Sequence, residues 1–159
     1  MGHQEELEGN SNIFLRFSRL LNNNTLLLYQ CANYIIYLNR CVMGNFRKLH
    51  VWQKAKNLAI NVYKLTESGS LEKDFGLRDQ MRRASVSIPS NIAEGDNLDT
   101  DKQSIRHFYI ARGSTAELST QLVIALEIGY IKNDKFEIFE KECDEISAML
   151  TALIKHRSK

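Results

Sequence analysis

Residues 82 to 95 read RRASVSIPSNIAEG and contain Pro89, the sole proline in a chain of 159 residues. Leu77, Met81, Ala84, Ile88 and Ile92 recur at intervals of three or four, so an apolar stripe passes through Pro89 without changing phase. That predicts one continuous helix. Proline cannot donate to the carbonyl of Ser85, and its ring crowds that oxygen and disfavours helical geometry at Ile88, so a bend is the expected cost. Hydroxyls of Ser85, Ser87 or Ser90 stand near enough in sequence to satisfy the freed carbonyl. Gly95 is read as a left-handed C-terminal cap before the polar loop DNLD. The competing reading starts a new helix with Pro89 at its first position. It leaves only Pro89 to Glu94 for that helix, and the continuous one is preferred.

The same period extends on both sides. Upstream, Val51, Ala55, Leu58, Val62 and Leu65 share one helical face, which Trp52, Ala59 and Tyr63 widen. The stretch ESGSLEKD, residues 67 to 74, has the glycine and serine of an interhelical turn. Downstream, Thr100 and Gln103 match a capping box, with Asp99 and Asp101 suited to the positive end of the helix dipole. The stripe Phe108, Ala111, Thr115, Leu118, Leu122, Ala125 and Gly129 follows. Gly113, Ser114, Ala116 and Ser119 crowd its middle, where small side chains let a neighbouring helix approach. Asp134 with Glu137 offers another capping pair. Phe136, Phe139, Cys143, Ile146, Leu150 and Leu153 then form the last stripe. Four amphipathic helices with short links predict an all-α, up-down-up-down four-helix bundle with a Pro-kinked second helix.

Residues 1–42 differ in texture. Asparagines punctuate two apolar pieces, of which the second, Leu26 to Leu38, is interrupted by Gln30 and Asn33. It falls short of the about 20 mostly apolar residues that a membrane helix needs, and no A-x-A-like cleavage site follows it. The expectation is an N-terminal extension, helical or disordered, ahead of a bundle domain at 43–159. Met43 opens a fresh start, and translation of an upstream segment is one origin for the extension.

Lysine plus arginine number 21 against 19 aspartate plus glutamate, a net charge of +2, so any nucleic-acid role depends on local patches. Cys31, Cys41 and Cys143 are odd in number and far apart, which indicates neither a disulfide framework nor a zinc site and fits a reducing cytoplasm. There is no HExxH, no GxGxxG and no GxxxxGK[ST]. Asp96, Asp99 and Asp101 lack the glycine and terminal glutamate of a calcium loop and read as capping residues. His107 has no companion at ligand spacing. The chain is accordingly read as non-enzymatic, without cofactor or metal.

VWQKA near the first helix, the run RRASVSIPSNIAEG, and GSTAELSTQL followed by IGYI carry a resemblance. The chain resembles, over roughly Phe46 to Lys155, the four-helix bundle family of proteins encoded by intervening sequences in bacterial 23S ribosomal RNA. That family also includes the accessory variability protein of diversity-generating retroelements. The resemblance implies a ring-shaped homopentamer. In the retroelement branch it further implies an accessory that binds nucleic acid and a reverse transcriptase. The sequence does not choose between the branches.

The candidate phosphate-binding residues are Arg47, Lys48 and Lys54 around the start of the first helix, and Arg78, Arg82 and Arg83 on the second. The alternative is a solvated face paired with nearby acids. Trp52 is expected to anchor a core or subunit interface, and Asn91, Glu94 and Glu117 to make polar contacts between helices or subunits. Two functions remain open: a nucleic-acid-binding accessory, and a protein-only scaffold that docks a partner protein. A chain beginning at Met43 is expected to keep its helical circular dichroism and cooperative melting, since each predicted stripe lies beyond that residue.

Overall fold

The computed structural model describes residues 45–159. The N-terminal extension therefore lies outside the described residues. Among those described, all regular structure is helical and there is no strand. A 3-10 turn at Phe46–Lys48 leads into α1 (His50–Leu65), followed by the short α2 (Gly69–Lys73), α3 (Phe75–Asp96), α4 (Asp101–Glu127) and α5 (Asn133–Arg157). Helix α3 packs on α1 and α4, α4 also on α5, and α5 on α1. The predicted stripes meet in one hydrophobic core. Leu58, Val62, Met81, Ile88, Ile92, Phe108, Leu118, Leu122, Ile146 and Leu150 are all fully buried there.

Pro89 sits inside α3, which runs unbroken from Phe75 to Asp96. The nearby serines do not serve the Ser85 carbonyl. Ser85 Oγ donates to the carbonyl of Arg82 at 2.9 Å and Ser90 Oγ to that of Val86 at 2.8 Å, the short back-bonds that serine hydroxyls make within a helix. Ser87 Oγ instead reaches across to Ser114 Oγ of α4 at 2.8 Å.

Two glycines exchange their expected roles. Gly95 lies within α3 and does not adopt a positive φ. A Cβ there would stand 2.7 Å from a ring carbon of Phe108 and 3.0 Å from the backbone oxygen of Ser104. Gly95 is thus a point of close approach to α4. The left-handed cap belongs to Gly129, with φ of 78°. The Gly129 amide donates to the Leu126 carbonyl at 2.9 Å and the Tyr130 amide to the Ala125 carbonyl at 2.8 Å, the bond pair of a Schellman ending. Gly129 therefore stops α4 and does not continue its stripe. Gly113 is exposed, and its missing Cβ would meet nothing within 4 Å. Among the described residues no helix uses the space it leaves.

The stretch 67 to 74 also holds more structure than a turn. It contains α2, whose Leu71 is 1% exposed and joins the core. Asp74 then caps α3, its Oδ1 accepting the Leu77 amide at 3.0 Å. Thr100 caps α4 as expected, accepting from the Gln103 amide at 3.4 Å and donating to Gln103 Oε1 at 2.8 Å. At α5 the cap position is Lys132 and makes no side-chain bond, so Asp134 lies in the first turn and is not the cap. Asp96, 8% exposed at its side chain, receives Arg157 Nη2 at 3.2 Å, and Asp101 receives Nη1 at 3.3 Å. One guanidinium from the end of α5 thereby holds both sides of the α3–α4 loop.

The core thiol needs no reactive role. Burial, reinforced by the negative charges of Glu140, Glu142 and Asp144, pushes Cys143 up to about 12. Gly95 and Gly113 should respond oppositely to alanine. Gly95→Ala forces the Phe108 ring aside and is expected to cost about 1–3 kcal/mol. Gly113→Ala fills open space in a helix interior and should gain about 0.5–1 kcal/mol. Urea denaturation of the two variants measures both values.

Candidate nucleic-acid interface

Between residues 45 and 66 the sequence carries Arg47, Lys48, Lys54, Lys56 and Lys64 and no aspartate or glutamate. The fold decides which of these cations remain available. Arg47 and Lys48 are exposed in the 3-10 turn, with the Arg47 guanidinium 5.3 Å from the Phe46 ring centroid. Lys54 points the other way, toward α5, where its ammonium binds Glu145. That hydrogen bond, and then the charge of Lys54, hold the Glu145 carboxyl below its ordinary range. Lys56 lies 5.8 Å from the Trp52 ring centroid. Among the described residues neither Lys56 nor Lys64 has an ion-pair partner.

The three arginines of α3 fall into two kinds. Arg82 is built into the α1–α3 junction. Its Nε donates to Thr66 Oγ1 at 2.8 Å and its Nη2 to the Thr66 carbonyl at 3.2 Å, while its guanidinium lies 4.7 Å from the Tyr63 ring centroid. Thr66 is fully buried and is the C-cap of α1, so Arg82 supplies donors and positive charge where a helix end presents unpaired carbonyls. Arg78 is likewise engaged, with Asp79 at 2.9 Å, the Glu72 carbonyl at 3.1 Å and the Phe75 ring. Arg83 is the open one. Its side chain is 70% exposed, with Glu117 at 3.3 Å and Gln80 at 2.6 Å.

The assembly candidates are distributed along the α3–α4 seam and near the start of α1. Asn91 Nδ2 donates to the Ser87 carbonyl at 2.9 Å, and Asn91 Oδ1 stands 3.2 Å from His107 Nδ1. His107 therefore has companions that its isolation in sequence concealed, because Glu94 Oε2 lies 3.5 Å from the same nitrogen. Glu117 meets Arg83 and, at 3.4 Å, Gln121 Nε2. Trp52 is half-buried against Phe46, ring centroids 5.0 Å apart in an edge arrangement. Tyr63, expected to widen the core face of α1, is 40% exposed. It stands on one helical face with Lys56 and Trp52, of which the two aromatics were expected to widen the core and Lys56 to join the basic cluster.

These features define an all-helical domain over the described residues, with a cation-bearing, acid-free α1 and no helix there long and apolar enough to cross a membrane. The family model for the 23S rRNA-intervening sequence protein matches residues 47–152, and the chain belongs to that family. A crystal structure of a protein of unknown function from the S23 ribosomal protein family of Bacteroides thetaiotaomicron is similar in fold and sequence. Its TM-score is 0.61 and its identity 25%, over 66% of this chain and 98% of that one. No curated protein matches.

The two kinds of arginine should separate in stability measurements. Arg82→Ala strips the α1 terminus of its donors and is expected to cost about 1–3 kcal/mol, and Arg82→Lys should not restore it because the planar fork is lost. Arg83→Ala should stay within about 0.5 kcal/mol. Urea midpoints of the three variants provide the check.

Proposed function

We propose that the chain is a non-enzymatic, homo-oligomeric nucleic-acid-binding accessory protein that holds RNA or DNA on repeated basic patches. The observation that carries this reading is the charge segregation at residues 45–66, where cations accumulate without acids although the whole chain is nearly neutral. Arg83 is exposed on the α4 side of α3, beside Glu117, and adds a separate cation to the surface. Membership of a family named for an intervening sequence of 23S rRNA supports an association with nucleic acid. In this reading α1, α3, α4 and α5 form an up-down-up-down bundle, α3 bends at Pro89, and residues 1–42 stand outside the bundle domain. Five copies form a ring in the cytoplasm, and repetition around the ring multiplies each phosphate contact.

A second reading has its own observation. Ile110 and Ile124 are exposed along α4 and Ile128 at its C-terminal cap, and such a surface suits a protein partner. In this version the protein is a scaffold that docks another protein, such as a reverse transcriptase, and its cations serve solubility.

Binding of labelled RNA and DNA oligonucleotides at several salt concentrations tests the first reading, with native mass measurement giving the copy number. Affinity is expected to fall steeply with salt, and Arg83→Ala to reduce the slope by about one unit with oligomer mass unchanged. Absence of binding at low salt removes it in favour of the scaffold.

A further inference from the structure

The outer groove between α1 and α3 has a volume of about 500 Å³ and is lined by Lys56, Ala59, Ile60, Tyr63, Val86 and Pro89, with Lys64 and Glu67 at one end. We propose that this groove binds an unpaired nucleic-acid strand, with phosphates on Lys56 and Lys64 and bases against Tyr63 and its apolar surround. The inference rests on the nucleic-acid reading above and adds the strand type and the site.

Three observations point to this occupant. First, the charge is complementary. Lys56 and Lys64 are exposed without ion-pair partners among the described residues, and Glu67 is the single acid on the lining. Second, aromatic and cationic side chains share one face of α1, Lys56 and Tyr63 within the groove and the half-buried Trp52 beyond its lining. Trp52, Lys56, Ala59 and Tyr63 recur at helical spacing, which at 1.5 Å per residue places Trp52 and Tyr63 about 16 Å apart. Sequence-tolerant binders of single strands combine a cationic track with such stacking platforms. Third, Tyr63 is held in advance. The Arg82 guanidinium over its ring is itself fixed by two bonds to Thr66, so little side-chain freedom remains to be lost on binding.

The apolar lining selects between nucleic-acid forms. Ile60 and Val86 are 46% and 42% exposed and gain nothing from the phosphate exterior of a duplex, whose bases already stack on one another. An unpaired strand offers its base faces. Because stacking and phosphate attraction make no demand on the sugar, single-stranded RNA and DNA share the required chemistry.

The test uses the full chain and fluorescence anisotropy with an oligouridylate, an oligothymidylate and an RNA duplex, each of about twelve nucleotides, a length within the usual range for such sites. Both single strands should bind more tightly than the duplex. Tyr63→Ala is expected to weaken single-strand binding about tenfold, with Tyr63→Phe restoring it. Lys56→Gln with Lys64→Gln should flatten the salt dependence. Preference for oligouridylate over oligothymidylate would assign the site to RNA, and equal affinity to either strand. Circular dichroism and native mass are recorded for every variant. If the wild type binds and Tyr63→Ala binds equally well, the groove is not the site, although nucleic-acid binding itself survives. If Tyr63→Ala lowers the native mass, the groove is a seam between copies and the proposal is overturned. If no oligonucleotide binds the wild type, both the proposal and the reading beneath it fail.

Discussion

The close approach of α3 and α4 is the constraint on which the rest depends. The face of α3 turned to α4 is made of Ala84, Ser87, Asn91 and Gly95, all small or polar, and this pair is the most extensively packed among the described helices. At Gly95 no side chain fits, because the Phe108 ring occupies the position a methyl would need. Phe108 is fully buried as a result and contributes roughly 1.5–3 kcal/mol by leaving water. Higher along the seam, Ser87 and Ser114 satisfy each other, which removes the penalty of desolvating two hydroxyls. The spacing of the pair also sets where the α3–α4 loop emerges, and Arg157 closes on that loop through Asp96 and Asp101.

The opposite edge of α3 has a different task. Pro89 is half-buried and lines the groove toward α1 with Val86. Its ring removes the donor that the Ser85 carbonyl would otherwise receive and presents apolar surface to the groove. Arg82, two turns earlier on that edge, ties the helix to the end of α1. Helix α3 therefore mediates between a tight polar seam on one side and an open apolar groove on the other. The open side offers room for a ligand.

Much of this was legible in the sequence, and the failures share a cause. The stripes through Met81, Ile88 and Ile92, or Phe139, Cys143 and Ile146, follow from the 3.6-residue period alone, since burial of a helix face is a repeated and local signal. Gly95 was misread because a glycine near a helix end satisfies two physical demands, a left-handed cap and a close contact, and the ring that decides between them lies on another helix. Gly129 was misread in the reverse sense. Leu71 was missed because Gly69 and Ser70 mark a turn whether or not one buried leucine follows. Among the site residues, the cations could be enumerated from sequence but their commitments could not. Lys54 meets Glu145 and Arg82 meets Thr66 through tertiary contacts that no local spacing encodes.

Those commitments bear on how net charge should be weighed. A total of +2 suggests little affinity for a polyanion, yet a phosphate within reach of α1 responds to charges inside a Debye length, about 8–10 Å at ordinary salt. Residues 45–66 carry cations and no acid, Glu67 is the single acid on the groove lining, and Glu137, Asp144 and Glu145 belong to α5. Lys54 is spent on one of those acids, which neutralises the edge of α1 facing α5 and leaves the edge facing α3 positive. The same ion pair thus gives the helix a polarity across its width, and the side it leaves unbalanced is the side on which Trp52, Lys56 and Tyr63 lie.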